Sequence, residues 1–80
     1  MLPKIINVKP KPNYILEVIF DNAEKRAFSV APYFKYTVYK PLENIAFFNN
    51  VIAKYGTVVW GKDAIIDFDP YIIYQEGKVI

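Results

Sequence analysis

Eighty residues with 54% hydrophobic and 18% aromatic content make one domain near the size at which a single apolar core suffices, which excludes a second domain and the disordered class. A net charge of +2 is too small to be a nucleic-acid footprint by itself. With neither Cys nor His the chain lacks a disulfide framework, a thiolate and an imidazole base, which fits a reducing cytoplasm and argues against an enzyme.

At the N-terminus, Pro3, Lys4, Asn7 and Lys9 interrupt any signal-peptide core, and no apolar run approaches the ~20 residues of a membrane span. The chain therefore reads as soluble. Lys4 to Val8 is a first strand, punctuated by Pro10 and Pro12. Tyr14 to Phe20 is a second, with Tyr14, Leu16, Val18 and Phe20 on one face and Ile15, Glu17 and Ile19 on the other. Asp21 to Glu24 is a short loop, and Lys25 to Val30 returns as a third strand with Arg26, Phe28 and Val30 sharing a face. Ala31-Pro32 breaks that strand, so Tyr33-Phe34-Lys35-Tyr36 is expected as an irregular or single-turn helical segment whose rings cap one end of the sheet.

Tyr39 to Leu42 is a connector. Glu43 to Asn50 then reads as a short helix with Asn44 as its cap and Ile45 and Phe48 at helical spacing. Val51 to Tyr55 pairs with Thr57 to Trp60 around Gly56 in a second hairpin, and Thr57 to Trp60 suits a half-buried strand. Gly61-Lys62-Asp63 is turn chemistry, followed by a further extended stretch. Asp69-Pro70 opens a helix: the carboxylate accepts from first-turn N–H groups, and proline at the first helical position loses only a donor that had no partner. Gly77 is placed to end the helix in a left-handed cap. The expectation is a single α+β domain over residues 1–80, with antiparallel hairpins of about five strands and one or two short helices on one side.

Several features stand in a fixed order: Pro3-Lys4-Ile5-Ile6-Asn7-Val8, the Phe20-to-Phe28 hairpin containing Glu24-Lys25-Arg26, the Ala31-Pro32-Tyr33 break, Phe47-Phe48, Gly56-Thr57-Val58-Val59-Trp60, and Asp67-Phe68-Asp69-Pro70 closing on Tyr74. Over nearly the whole chain this order resembles the small bacterial domain of unknown function 2442 family (DUF2442). The resemblance implies an α+β fold and no established activity. It also implies a genetic setting, because members are often encoded beside another small protein in a toxin–antitoxin-like arrangement. Some carry an added DNA-binding helix-turn-helix, for which this sequence ends too early. Two departures stand out: Asn22-Ala23 where the family favours Asn-Gly, and Gly61-Lys62 in place of a Pro-containing turn. The first argues against a primed two-residue turn, because Ala resists positive φ.

Four constellations bear on chemistry. Ser29 lies in a strand with no base near it in sequence, so it reads as a plain hydroxyl. Asp63, Asp67 and Asp69 offer hard oxygen ligands for a divalent ion, but they are better explained as a turn residue, a local backbone acceptor and a helix cap. No metal or cofactor is expected. Lys4, Lys9 and Lys11 form a basic arm that, with Tyr14, Tyr33, Tyr36 and Tyr39 as stacking surfaces, is the pairing used by single-strand binders. The plainer account is that such lysines blunt an exposed edge.

The aromatic surplus carries the leading reading. Seven Tyr, six Phe and one Trp cannot all be hidden in so small a domain, and Tyr33, Phe34, Tyr36, Tyr39 and Phe47 are the candidate partner-binding residues. Trp60, Asp67, Asp69 and Pro70 are assigned structural roles. The expected function is a cytoplasmic module that binds a protein partner, as an antitoxin-like member of a gene pair, and self-associates as a homodimer. The alternative is a nucleic-acid-binding or transcription-linked domain, and a distant third is a metal-dependent enzyme.

Overall fold

The computed structural model describes residues 3–80. The period-2 pattern of the first half becomes a meander of β1 (Ile5–Lys11), β2 (Ile15–Phe20) and β3 (Lys25–Ser29), each antiparallel to the next. Leu16, Val18, Phe20 and Phe28 are buried, whereas Ile15, Glu17 and Ile19 on the opposite face are half-buried, as the alternation requires.

β1 runs on through Pro10. It lies at the edge of its sheet, where the Val8 N–H is taken by the Asn7 side-chain oxygen at 2.8 Å. Pro10, two residues on, therefore costs no ladder bond. Tyr14, expected in β2, sits instead in the 3₁₀ turn Pro12–Tyr14 with φ of 60°. Its ring is held edge-on by Phe34 and Phe48 at 4.9 and 5.2 Å, and its hydroxyl donates to the Glu43 carbonyl.

The β2–β3 connection closes on the three residues Asp21-Asn22-Ala23 between Phe20 and Glu24 and is not a primed two-residue turn. Phe20 N–H donates to the Glu24 carbonyl at 2.8 Å, Ala23 N–H to the Phe20 carbonyl at 2.9 Å, and Ala23 takes φ of 72°. This matches a turn that ends on a left-handed residue, a position where glycine is ordinarily found.

After β3 the chain makes two 3₁₀ segments, Ala31–Lys35 and Thr37–Glu43. The helix expected over Glu43 to Asn50 is the shorter α1 (Ile45–Phe48), capped by Asn44, whose side-chain oxygen accepts from Ala46 and Phe47 at 3.0 and 3.2 Å. β4 (Ile52–Lys54) and β5 (Thr57–Trp60) are joined by Tyr55-Gly56, both at positive φ, as a two-residue primed turn demands. β6 (Ile66–Asp67) pairs on the other side of β5. β5 is not half-buried: all four of its residues are buried, because it is the centre of its sheet and is covered on both faces.

α2 (Pro70–Glu76) starts as expected, with Asp69 accepting from Tyr71 N–H at 2.9 Å and Pro70 in the first turn. Gly77 does not form a left-handed cap. Its φ of −68° and ψ of 146° are extended and lead directly into β7 (Lys78–Val79), which pairs with β3. Glycine is required there for space, since a Cβ would lie 2.6 Å from the Ile73 carbonyl oxygen and 3.2 Å from the Arg26 Cβ.

The described residues thus form two antiparallel sheets, β1-β2-β3-β7 and β4-β5-β6. This is an α+β fold with seven strands where about five were expected. The two-residue strands β6 and β7 are too short to show a period. Ile5 N–H donates to the Gly56 carbonyl at 3.0 Å and ties the sheets together, and one buried cluster from Leu16 through Trp60 to Ile73 runs through both. No helix among the described residues is long and apolar enough to cross a membrane.

Because Ala23 holds a left-handed conformation that glycine adopts without strain, Ala23→Gly is expected to stabilise the protein by up to about 1 kcal/mol. Urea unfolding checks this, and a loss of stability would show that the turn carries no such strain.

Candidate functional site

The tyrosines at 33, 36 and 39 are spaced by three, one turn of a 3₁₀ helix, and the two 3₁₀ segments bring them together. Tyr33 lies 6.1 Å from both Tyr36 and Tyr39, and it also meets Phe68 at 5.2 Å and Phe28 at 5.7 Å. Tyr39 stacks on Phe68 at 4.3 Å, and Phe34 meets Tyr14. Four of the five candidate partner-binding residues, Tyr33, Phe34, Tyr39 and Phe47, are therefore half-buried and pack on the core. Tyr36 alone is open, at 49% exposure, with Val38 beside it in sequence at 58%.

What this arrangement leaves at the surface is a groove of about 340 Å³ lined by Phe28, Pro32, Tyr33, Lys35, Tyr36 and Glu76. The Tyr33 hydroxyl donates to Glu76 Oε1 at 2.5 Å. Burial, and then this bond, pushes the Tyr33 phenol up to about 12, so the hydroxyl stays a fixed donor. Burial also raises the Tyr39 phenol, aided by the charges of Asp67 and Asp69. The Lys35 ammonium sits 5.3 Å over the Tyr36 ring. Ser29 lines the same groove, but the groove's one carboxylate, Glu76, is occupied by Tyr33 and no base is offered to the hydroxyl. The arrangement suits binding of a side chain with one apolar and one polar end.

A second cluster was not singled out as a site from sequence. The Arg26 guanidinium donates through Nη1 to the Tyr74 carbonyl at 2.7 Å and the Gly77 carbonyl at 3.3 Å, and through Nη2 to Glu24 Oε1 at 2.6 Å. It also lies 4.1 Å over the Tyr74 ring, whose hydroxyl donates to Glu24 Oε2 at 2.5 Å. The bond from Tyr74, followed by those from Arg26 and Asn22, holds the Glu24 carboxyl below its ordinary value. The available signal was an arginine on the core-facing side of β3, in line with Phe28 and Val30, where a charge needs a partner.

The remaining candidates are dispersed. Asp63 sits in the turn after Gly61 at φ of 61°, Asp67 is exposed on β6 and Asp69 caps α2. Among the described residues no three carboxylates converge to hold a metal ion. The Lys4 stem lies against Gly56 at the tip of the β4–β5 hairpin, while Lys9 and Lys11 lie along β1 with Lys9 opposite Glu17. Trp60 is fully buried and donates from its indole nitrogen to the Phe48 carbonyl at 3.0 Å.

The family model described as protein of unknown function (DUF2442) matches residues 5–78, nearly the whole chain. No curated protein and no solved structure matches.

Two groups set the expected pH dependence. The Glu24 carboxyl is lowered from 4.5, so its contribution to stability is complete above that value and is lost as the pH falls below it. The Tyr33 phenol is raised from 10.0 to about 12, so its contribution is complete below 10.0 and is lost as the pH rises through that interval. Thermal melts across pH should show both limbs, with Glu24→Gln flattening the acid limb and Tyr33→Phe the alkaline one. Unchanged limbs in these variants would assign the effects elsewhere.

Proposed function

The chain belongs to the DUF2442 family, whose activity is uncharacterised, and from that premise we propose that it is a module that binds a partner protein through the groove beside Tyr36. The partner is the small toxin-like protein that such domains are often encoded beside, and this chain is the antitoxin-like member of the pair. The observation that carries the reading is the groove itself: an aromatic-walled concavity of about 340 Å³ with Tyr36 open on its rim and Lys35 and Glu76 as its charges. That volume falls in the range of ligand-sized pockets, and tyrosine is among the residues that concentrate interface energy. A binding role is favoured over a catalytic one because no His or Cys exists to activate a nucleophile. The cysteine-free composition supports a cytoplasmic setting.

Self-association belongs to the same reading, through the open rings and not through strand edges. The β1 edge is blunted by Asn7 and Pro10, and β7 at the other edge is two residues long. A two-fold contact around Tyr36 and Val38 is the simplest closed arrangement. The nucleic-acid reading has less support, since Lys4 lies away from Lys9 and Lys11 and most of the tyrosines turn inward.

Co-expression with the product of the adjoining gene should yield a complex on size exclusion, weakened about tenfold or more by Tyr36→Ser or Lys35→Glu. Absence of a complex, or one indifferent to both substitutions, would overturn the proposal. For the isolated chain, sedimentation at rising concentration should show a monomer–dimer equilibrium that Tyr36→Ser with Val38→Ser shifts to monomer. A strict monomer up to about millimolar concentration would remove the self-association part.

A further inference from the structure

The strand register places a second surface on the opposite face of the β1-β2-β3-β7 sheet. Residues directly opposite each other on paired strands project to the same face, so Lys9, Glu17, Ala27 and Lys78 form one row across all four strands. Lys11, Ile15 and Ser29 form the row on one side of it, and Asn7, Ile19 and Lys25 the row on the other. The face therefore carries four lysines and one glutamate, a local charge of +3 on a chain whose total is +2. The Glu17 carboxylate lies 3.9 Å from the Lys25 ammonium. That distance and the exposure of Lys25 make a loose pair, screened by solvent.

Between the lysines the floor is aliphatic. Ile15, Ile19 and Ala27 are half-buried, while Lys9, Lys25 and Lys78 are exposed. A shallow depression of about 130 Å³ on this face is lined by Asn7, Val8, Lys9, Glu17, Ile19 and Lys25. We propose that this face is a docking surface for an acidic amphipathic segment of a partner protein, with partner carboxylates on Lys9, Lys11, Lys25 and Lys78 and partner apolar side chains on Ile15 and Ile19.

Charge complementarity selects this occupant. A second copy docked two-fold through the same face would set four lysines against four lysines, and like charges face to face repel. A single-stranded nucleic acid would find no ring to stack on, since the three rows hold no aromatic residue, and no arginine for bidentate phosphate recognition. Lysines on flexible stems around an aliphatic floor suit carboxylates flanking an apolar stripe. The surface shares only Ser29 with the Tyr36 groove, and the inference does not depend on that groove being used.

The test is fluorescence anisotropy with a labelled helical peptide of about 16 residues bearing a leucine stripe flanked by glutamates. Binding that weakens as salt rises, that falls tenfold or more in Lys9→Glu with Lys25→Glu, and that is unchanged in Tyr36→Ser is the expected result. Lys9→Gln with Lys25→Gln, a milder change, should give an intermediate loss with the thermal melt unaltered. Absence of binding at about millimolar peptide, equal binding of the peptide with glutamine in place of glutamate, or tighter binding of oligothymidylate of similar length would overturn it.

Discussion

Arg26 holds the C-terminal end of this chain, the end of α2 and Gly77, to β3. It lies on the side of β3 that faces the core, where a guanidinium needs partners for its charge. Glu24, the Tyr74 ring and the carbonyls of Tyr74 and Gly77 engage it, leaving Nε as the buried nitrogen without a partner. The two carbonyls belong to the end of α2, so the guanidinium also supplies the cation that a helix C-terminus favours, worth about 0.3–1 kcal/mol. Gly77 follows because only a residue without a Cβ lets the chain pass between the Ile73 carbonyl and Arg26. β7 then follows because the chain leaves Gly77 already extended beside β3.

The second organising constraint is β5. Four consecutive buried residues, one of them Thr57, need every polar atom satisfied, and the Thr57 hydroxyl reaches the Phe68 carbonyl while the Trp60 indole reaches that of Phe48. Those two bonds tie both α1 and the approach to α2 to the strand. Phe68 is then the hub on which Phe28, Tyr33, Tyr39 and Trp60 converge. The aromatic surplus that suggested a contact surface is thus spent largely inside, and the groove at Tyr36 is what remains outside once the core is closed.

The two surfaces differ in physical character. The groove is aromatic and nearly balanced in charge, with Lys35 and Glu76 at its walls. The outer sheet face is aliphatic and basic. Apart from Ser29 the two draw on different residues, so stacking chemistry and charge chemistry rest on different side chains.

Local chemistry in the sequence determined much of this protein. The alternation of Leu16, Val18 and Phe20 set the buried face of β2, Asn44 and Asp69 set both helix starts, and the order of short motifs identified the family. Each is a pattern along the chain, the first two within a few residues and the last in the order of motifs, which a linear reading captures. Tertiary structure decided the rest. β5 proved buried throughout because it is the centre of its sheet and residues elsewhere in the chain, Phe48 and Phe68 among them, pack against it, while β6, a two-residue strand with no readable period, pairs along its second edge. Gly77 proved extended because it leads into β7 beside β3, with its carbonyl held by Arg26, 51 positions away. The inward turn of Tyr33, Phe34, Tyr39 and Phe47 was equally out of reach. Whether a ring is core or contact depends on which distant residues meet it, and Phe68 lies far along the chain from Tyr33 and Tyr39, which pack against it.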